Sequence, residues 1–314
     1  MSTMTEKKSL PSTRRRKWKK ILEYKQLYFL LLPAVIYIAI FCYQPMYGLV
    51  MAFKNFSPLD GIWGSPWAGL NHFQRFVTSP VFFDILKNTL TLSIYSLVAG
   101  FPLPIVLAFA LHYTRNKYFK KTVQTITYAP HFLSVVVICS LCLILFSPRT
   151  GIVNTAIEKL GNERIFFMAE PKYFKHIYVW SGIWQNCGWN SIIYMAALAG
   201  IDQSIHESAM IDGANQLQRM WYIDFMGILP TIVVLLILNT GSIMSVGYEK
   251  VLLLQNSLNA EASEVISTYV YKKGVVGGEY SFSTAVGLFN SLINFILLFS
   301  VNMISRKLND VSLW

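Results

Sequence analysis

The chain has 314 residues, 54% of them hydrophobic and only 14% charged. Soluble domains carry about 25% charged residues, so a soluble protein of this size is excluded. The net charge of +11 would suit nucleic acid, but the basic residues gather beside the first apolar run, where anionic lipid headgroups are the fitting partner and nucleic acid is not.

Residues 1–26 are a polar, basic tail holding nine of the 27 Lys and Arg, with the run Arg14-Arg15-Arg16-Lys17-Trp18-Lys19-Lys20. It has too few apolar residues to fold alone. Six later segments have the length and apolarity to cross a hydrocarbon core of about 30 Å: roughly 27–49, 88–111, 124–146, 176–200, 228–248 and 284–304. The first outer loop contains only Lys54, Arg75 and Lys87 as basic residues. That asymmetry places the N-terminus in the cytoplasm, and the cluster Arg115, Lys117, Lys120 and Lys121 between spans two and three agrees. With six crossings, Arg306, Lys307 and the C-terminus are cytoplasmic too. The apolar run at 27–50 exceeds the 7–15 residues of a signal-peptide core and lacks a small-x-small cleavage site, so it reads as a retained anchor. The class expected is an all-α polytopic protein of the cell membrane with six transmembrane helices. Its regions are a tail (1–26), a first helix with its outer loop (27–83), a transmembrane core (84–305) and a second tail (306–314).

In chain order, span one carries Pro33 and is expected to break at 43–48, around Pro45 and Gly48. Trp63, Trp67 and Phe73 in the outer loop fit a seat on the bilayer surface and an outside partner equally well. Pro102 and Pro104 lie within span two and predict a bend or local unwinding, while the small residues beside them suit helix packing. Span three includes Pro130 and His131, a histidine near a helix start that reads as a hydrogen-bonded structural residue rather than a proton carrier. Cys42, Cys139, Cys142 and Cys187 all fall in apolar spans. Cys139-x-x-Cys142 imitates a metal or redox spacing, but no second pair completes a site, so these read as small buried hydrophobes. Residues 148–175 are soluble in character, with 151–154 expected to cap a short helix.

Span four is the most polar of the six. Asn186, Asn190 and Tyr194 share one edge at helical spacing, with Gln185 and Trp189 beside them. Amides in a bilayer need partners, so this face points into the protein. Aromatic rings next to amides suit a saccharide, whose C–H faces stack while its hydroxyls bond. Helix–helix bonding by Asn and Gln, worth about 0.6–2 kcal/mol each, explains the same residues equally well. Asn239 and Ser242 in span five, and Asn290 and Asn294 in span six, extend the candidate polar path.

Between spans four and five, Glu207, Asp212, Arg219 and Asp224 would each cost about 2.5–3.5 kcal/mol at a bilayer centre, so this stretch lies in water. The sequence predicts a short helix over 203–211 with Asp202 as its N-cap, a turn at Gly213, and a second helix capped by Asn215. Ser208, Ala209, Gly213 and Ala214 are small enough to let another backbone come close. The result is a knuckle between two spans.

The order Glu207-Ser208-Ala209-x-x-Asp212-Gly213-Ala214, followed by Ile223 and Ile228-Leu229-Pro230, resembles the EAA loop (here 202–230) of the membrane subunits of binding-protein-dependent ABC importers. Ser208 replaces the family's second alanine, and Met226 stands where many members have proline, which predicts a less kinked return to the membrane. Residues 64–76, Lys87 to Leu90, Tyr128 to Phe132, Ile183-Trp184, Thr268 to Tyr271 and Ala285 to Asn290 resemble the LplB-like branch that carries complex or uronate-containing oligosaccharides. The resemblance covers nearly the whole chain and implies the type I ABC importer fold. It also implies a second, non-identical permease subunit, two cytoplasmic ATPase subunits and an extracytoplasmic solute-binding lipoprotein. In that scheme Glu207, Ser208, Ala209, Asp212, Gly213 and Ala214 dock on the ATPase, and the outer segment 261–280 forms a lateral scoop against the binding protein.

What the chain lacks points the same way. No Gly-x-x-x-x-Gly-Lys-Ser/Thr loop is present, so no cofactor is expected on this chain, and ATP with Mg belongs to the partner ATPase. No His-Glu-x-x-His or Gly-x-Ser-x-Gly motif occurs. Charged residues within the spans are nearly absent, which disfavours an ion-driven carrier. The competing class is a polytopic membrane enzyme acting on lipid or glycan at the interface. Its nearest candidate pair, His131 with Tyr128, has no convergent carboxylate in sequence.

Overall fold

The computed structural model describes residues 24–309, so the basic run at 14–20 and the final residues 310–314 lie outside it. Among the described residues the regular structure is helical, apart from one isolated β-bridge, Lys54 to Trp67. Among these residues four helices are long and apolar enough to cross a membrane, and a fifth qualifies if one sharply bent pair counts as a single span.

The first span, α1 (Lys25–Phe53), has no buried residue in its apolar stretch. The expected break at Pro45 does not occur. The helix changes pitch instead, to a π segment at Ala39–Tyr43 and then a 3-10 segment at Gln44–Phe53. Pro45 falls in the first turn of the 3-10 segment, where its missing N–H costs nothing. The second span, α2 (Phe82–Tyr113), continues past Pro102 and Pro104 as one span, interrupted only at Phe101. Phe101 keeps right-handed helical geometry and its N–H bonds Leu97 O. These prolines again stand at a new first turn rather than across an intact ladder.

The segment expected as a straight third span is broken. α3 (Lys117–Tyr128) passes into a short 3-10 turn at Ala129–Phe132, and α4 (Val135–Leu145) leaves at 103°. The bend falls at Leu133 and Ser134, whose backbone is extended, while Ala129 before Pro130 stays helical, and Ser134 starts α4 by accepting the Val137 N–H. In the outer segment, α5 (Ile152–Lys159) begins at Gly151 without a side-chain cap. Asn154, expected near that cap, is wholly buried inside the helix. It donates to Ser147 O (3.1 Å) and Ile165 O (2.9 Å) and accepts from Ile165 N–H (2.8 Å), pinning the loop.

α6 (Pro171–Ala199) has 29 residues and is the hub of the molecule. Its length suffices for a span, but its amides make it less apolar than the four helices above. It packs on α2 along one side and on α3 along another. At Gly188 a Cβ would come within 2.1 Å of Thr127 O, so the contact with α3 requires glycine there. After the knuckle, α8 (Gln216–Gly241) includes a π segment at Met220–Phe225 and carries Pro230 inside. It ends seven residues before the predicted 248, and α9 (Tyr248–Leu254) follows a turn. α10 (Ile266–Tyr271) and the last helix, α11 (Tyr280–Asn309), complete the chain. Two apolar clusters join these elements near the outer loops. One holds Leu92, Ile138, Cys139, Cys142, Phe174 and Val251; the other holds Phe76, Phe82, Met244, Ile266 and Phe282. A third cluster, with Ala108, Tyr194, Leu198 and Ile228, lies nearer the knuckle.

Candidate functional site: a polar cavity and an exposed knuckle

The knuckle forms from interactions within a few residues. The carboxylate of Asp202 accepts the Ser204 N–H at 2.9 Å and starts α7 (Gln203–Ile211). The same bond holds that carboxyl below the usual carboxylate range. α7 ends at Gly213, whose φ of +82° is the left-handed conformation that a side chain resists. Asn215 and Gln218 then form a reciprocal capping box, each side chain accepting the other's N–H at 2.8–2.9 Å. Glu207, Ser208, Asp212 and Gly213 are exposed, and Ala209 and Ala214 are half-buried. Ile211, Leu217 and Tyr222 are also exposed, giving the knuckle an apolar face.

Asp224 does not share this exposure. Counted by sequence among the charges that keep the stretch in water, it is wholly buried. It belongs to the π segment. One carboxylate oxygen accepts the hydroxyl of Tyr113, at the end of α2. The other lies 3.0 Å from Nε2 of His206, on α7. The root of the knuckle is therefore tied to α2 and to α7 through one carboxylate.

A cavity of about 530 Å³ opens between α2, α6, the end of α8 and α9. It brings together Gln185, Asn186, Asn190, Tyr194, Asn239 and Ser242. Several of these also hold helices: Gln185 donates to Leu133 O (3.0 Å), and Asn186 pairs with Nδ1 of His131 (3.1 Å) and donates to Gly182 O (3.1 Å). Asn239 donates to Leu235 O in its own helix. Trp189 stands elsewhere, its ring parallel to His131 at 4.5 Å. One helical step of about 100° separates it from the Asn190 face. Trp180 and Trp184 line a separate apolar pocket with Phe146 and Phe167. The rings in the polar cavity are Phe101, Tyr178 and Tyr194.

Asn290 and Asn294 are not at this cavity. Asn294 accepts the Met244 N–H (2.9 Å) and donates to Ser245 (3.0 Å), joining α11 to the turn after α8. Asn290 Oδ1 is buried without a protein partner. Among the cavity residues that escaped sequence reasoning are Ser93 and Ser96 of α2, Tyr178 of α6, Ser245 after α8, and Lys250 of α9. Lys250 sits just past the predicted end of span five, and that boundary position was its only signal in the sequence.

His131 and Tyr128 do not form a catalytic pair with a carboxylate. Tyr128 is within 3.6 Å of the Met195 sulfur, and His131 is held by Asn186 and Trp189. An amide-lined cavity, an exposed knuckle and one helix reaching from the second to the first suit translocation rather than bond-breaking chemistry.

Comparison with known proteins agrees. Residues 100–310 match the family described as binding-protein-dependent transport system inner membrane component. Protein LplB of Bacillus subtilis (strain 168) is 42% identical over 290 residues, covering 92% of this chain and 91% of the relative. The polygalacturonan/rhamnogalacturonan transport system permease protein YteP of the same organism is 42% identical over 301 residues, covering 96% and 94%. A crystal structure of a bacterial alginate ABC transporter, in complex with alginate pentasaccharide-bound periplasmic protein, contains a chain 40% identical with a TM-score of 0.87, covering 95% of this chain and 100% of that one. The chain belongs to the inner-membrane components of binding-protein-dependent transport systems, as a multi-pass permease of sugar ABC importers in the cell membrane.

Proposed function

We propose that this chain is one of two non-identical permease subunits of an importer that moves acidic, uronate-containing oligosaccharides into the cytoplasm, driven by ATP hydrolysis on two partner subunits. An extracytoplasmic binding protein delivers the saccharide. The relatives named for polygalacturonan and alginate support the substrate class, since both polymers are built of uronates.

The observation that carries the mechanism is the continuity of α8. Its 26 residues span on the order of 40 Å, from the exposed knuckle to Asn239 at the polar cavity. An ATPase gripping Glu207, Ser208, Ala209, Asp212, Gly213 and Ala214 moves one end of this rod. The cavity wall moves with the other. In this reading the knuckle and both termini face the cytoplasm. The bent pair α3–α4 and the polar helix α6 act as spans beside the four apolar helices, making six. Their polar and broken stretches are covered by neighbouring helices and the cavity rather than by lipid.

ATP hydrolysis by the assembled importer in lipid, with its binding protein and a panel of defined oligosaccharides, tests the reading. Stimulation by oligogalacturonate or a similar acidic glycan, above that by neutral glycans, is expected. Stimulation by neutral glycans alone removes the substrate class. Failure of the chain to associate with any ATPase removes the mechanism.

A further inference from the structure

Lys250 is the one charged residue among those lining the polar cavity. Only 8% of its surface is exposed, and among the described residues it forms no ion pair. Its Nζ donates to the carbonyl of Tyr178 at 2.9 Å and lies 4.8 Å from the centre of that tyrosine's ring. An ammonium group has three protons to place, and one carbonyl takes one of them. The ring face adds a weak electrostatic attraction but supplies no negative charge. Burying an ammonium without a counter-ion is costly, and a neutral donor such as glutamine would bond the same carbonyl without that cost. The charge is therefore unexplained by the fold alone.

The setting favours an incoming anion. Nζ sits beside Gly182, where a Cβ would lie only 3.1 Å from it, so the absence of a side chain at 182 leaves the amine room. Gly182 itself lines the cavity, one helical turn from Asn186 and next to Ile183. Gln185, Asn190 and Asn239 on the surrounding walls offer amides of the kind that bond hydroxyls. One fixed positive charge among neutral hydrogen-bonding groups is complementary to a sugar ring bearing one carboxylate. We propose that Lys250 is a specificity-determining residue that binds the carboxylate of a uronate unit inside the permease. This rests on the acidic-saccharide reading above. Its consequence is that acidic glycans are selected twice, first by the binding protein and again within the membrane. A saccharide released into the cavity and not held there escapes outward before the helices close.

The test uses the complete importer in proteoliposomes, with its binding protein saturated by oligogalacturonate, and reads saccharide taken up per ATP hydrolysed. In K250Q that ratio is expected to fall about tenfold or more, the size of one charge-assisted hydrogen bond lost. ATP hydrolysis stimulated by the loaded binding protein should stay within about twofold of wild type, and uptake of the methyl-esterified saccharide, which lacks the charge, should change as little. K250R is expected to recover most of the ratio for the acid. An unchanged ratio in K250Q overturns the assignment. So does an equal loss for acid and ester, or a loss of stimulated hydrolysis along with uptake, because either makes Lys250 a tether of α9 to Tyr178. If the wild-type importer itself ignores oligogalacturonate and responds to a neutral glycan, the substrate class has failed, and the role of Lys250 falls with it.

Discussion

At Asp224, burial and charge oppose each other most sharply. A carboxylate with no exposed surface needs partners, and here one oxygen takes the hydroxyl of Tyr113 of α2 while the other lies 3.0 Å from His206 of α7 without a well-formed hydrogen bond. Removing one partner leaves the carboxylate short of a donor, which costs more than the bond itself was worth. Tyr113→Phe is therefore expected to destabilise the importer's membrane domain by about 1.5–3 kcal/mol, seen as a lower midpoint of thermal unfolding in detergent. An unchanged midpoint would mean that water substitutes for the hydroxyl. Sequence reasoning placed Asp224 with the solvated charges because a lone carboxylate is costly at a bilayer centre. Its partners are 111 and 18 positions away, and a one-dimensional pattern does not display them.

At the level of elements, the knuckle is the best case for reading structure from residues. Asp202 caps the Ser204 N–H, Gly213 supplies a positive φ, and Asn215 pairs with Gln218. Each interaction closes within three residues, so the local order of residue types is nearly the whole cause. Gly213→Pro is expected to abolish substrate-stimulated ATP hydrolysis while leaving the chain in the membrane, since proline holds φ near −65° and cannot take +82°. Normal stimulation in that variant would sink the docking role given to the knuckle. Gly213→Ala offers a graded comparison: no atom crowds the position, so only the backbone strain of about 1–2 kcal/mol applies, and partial stimulation is expected. The breaks within spans were less legible. Proline signals at 45, 102 and 104 predicted interruptions, and each is absorbed at the first turn of a new helical segment. The real break, the 103° bend between α3 and α4, falls where Leu133 and Ser134 take extended backbone and Ser134 caps the next helix, past the proline that marks the stretch.

For the whole molecule, composition was enough for an all-helical membrane protein, and residue order in 202–230 for its family. The cavity was legible in part. Asn186, Asn190 and Tyr194 share an edge of α6 at helical spacing with Gln185 beside it, and all four do line the cavity. The opposite walls come from α2, α8 and α9, which meet α6 only after folding, so Ser93, Ser96 and Lys250 carried no local signature. Trp189 shows the limit from the other side: next to the right edge in sequence, its ring is taken by His131.

The π segment at Met220–Phe225 sits between the knuckle and the membrane part of α8. A π turn takes up one residue more than an α turn for nearly the same rotation, so the extra residue is absorbed there and the helix beyond keeps the phase of an α-helix one residue shorter. Knuckle and cavity thus share one axis, with one residue of slack between them taken up in a single wide turn. Deleting the exposed Tyr222 would return the segment to α register. Such a chain is expected to keep its knuckle, its length of rod within about 1.5 Å and the cavity-facing direction of Asn239 and Ser242. Uptake is expected to survive the deletion, and its loss in an importer that still bound its ATPase would show that the wide turn itself is needed to pass motion along the helix.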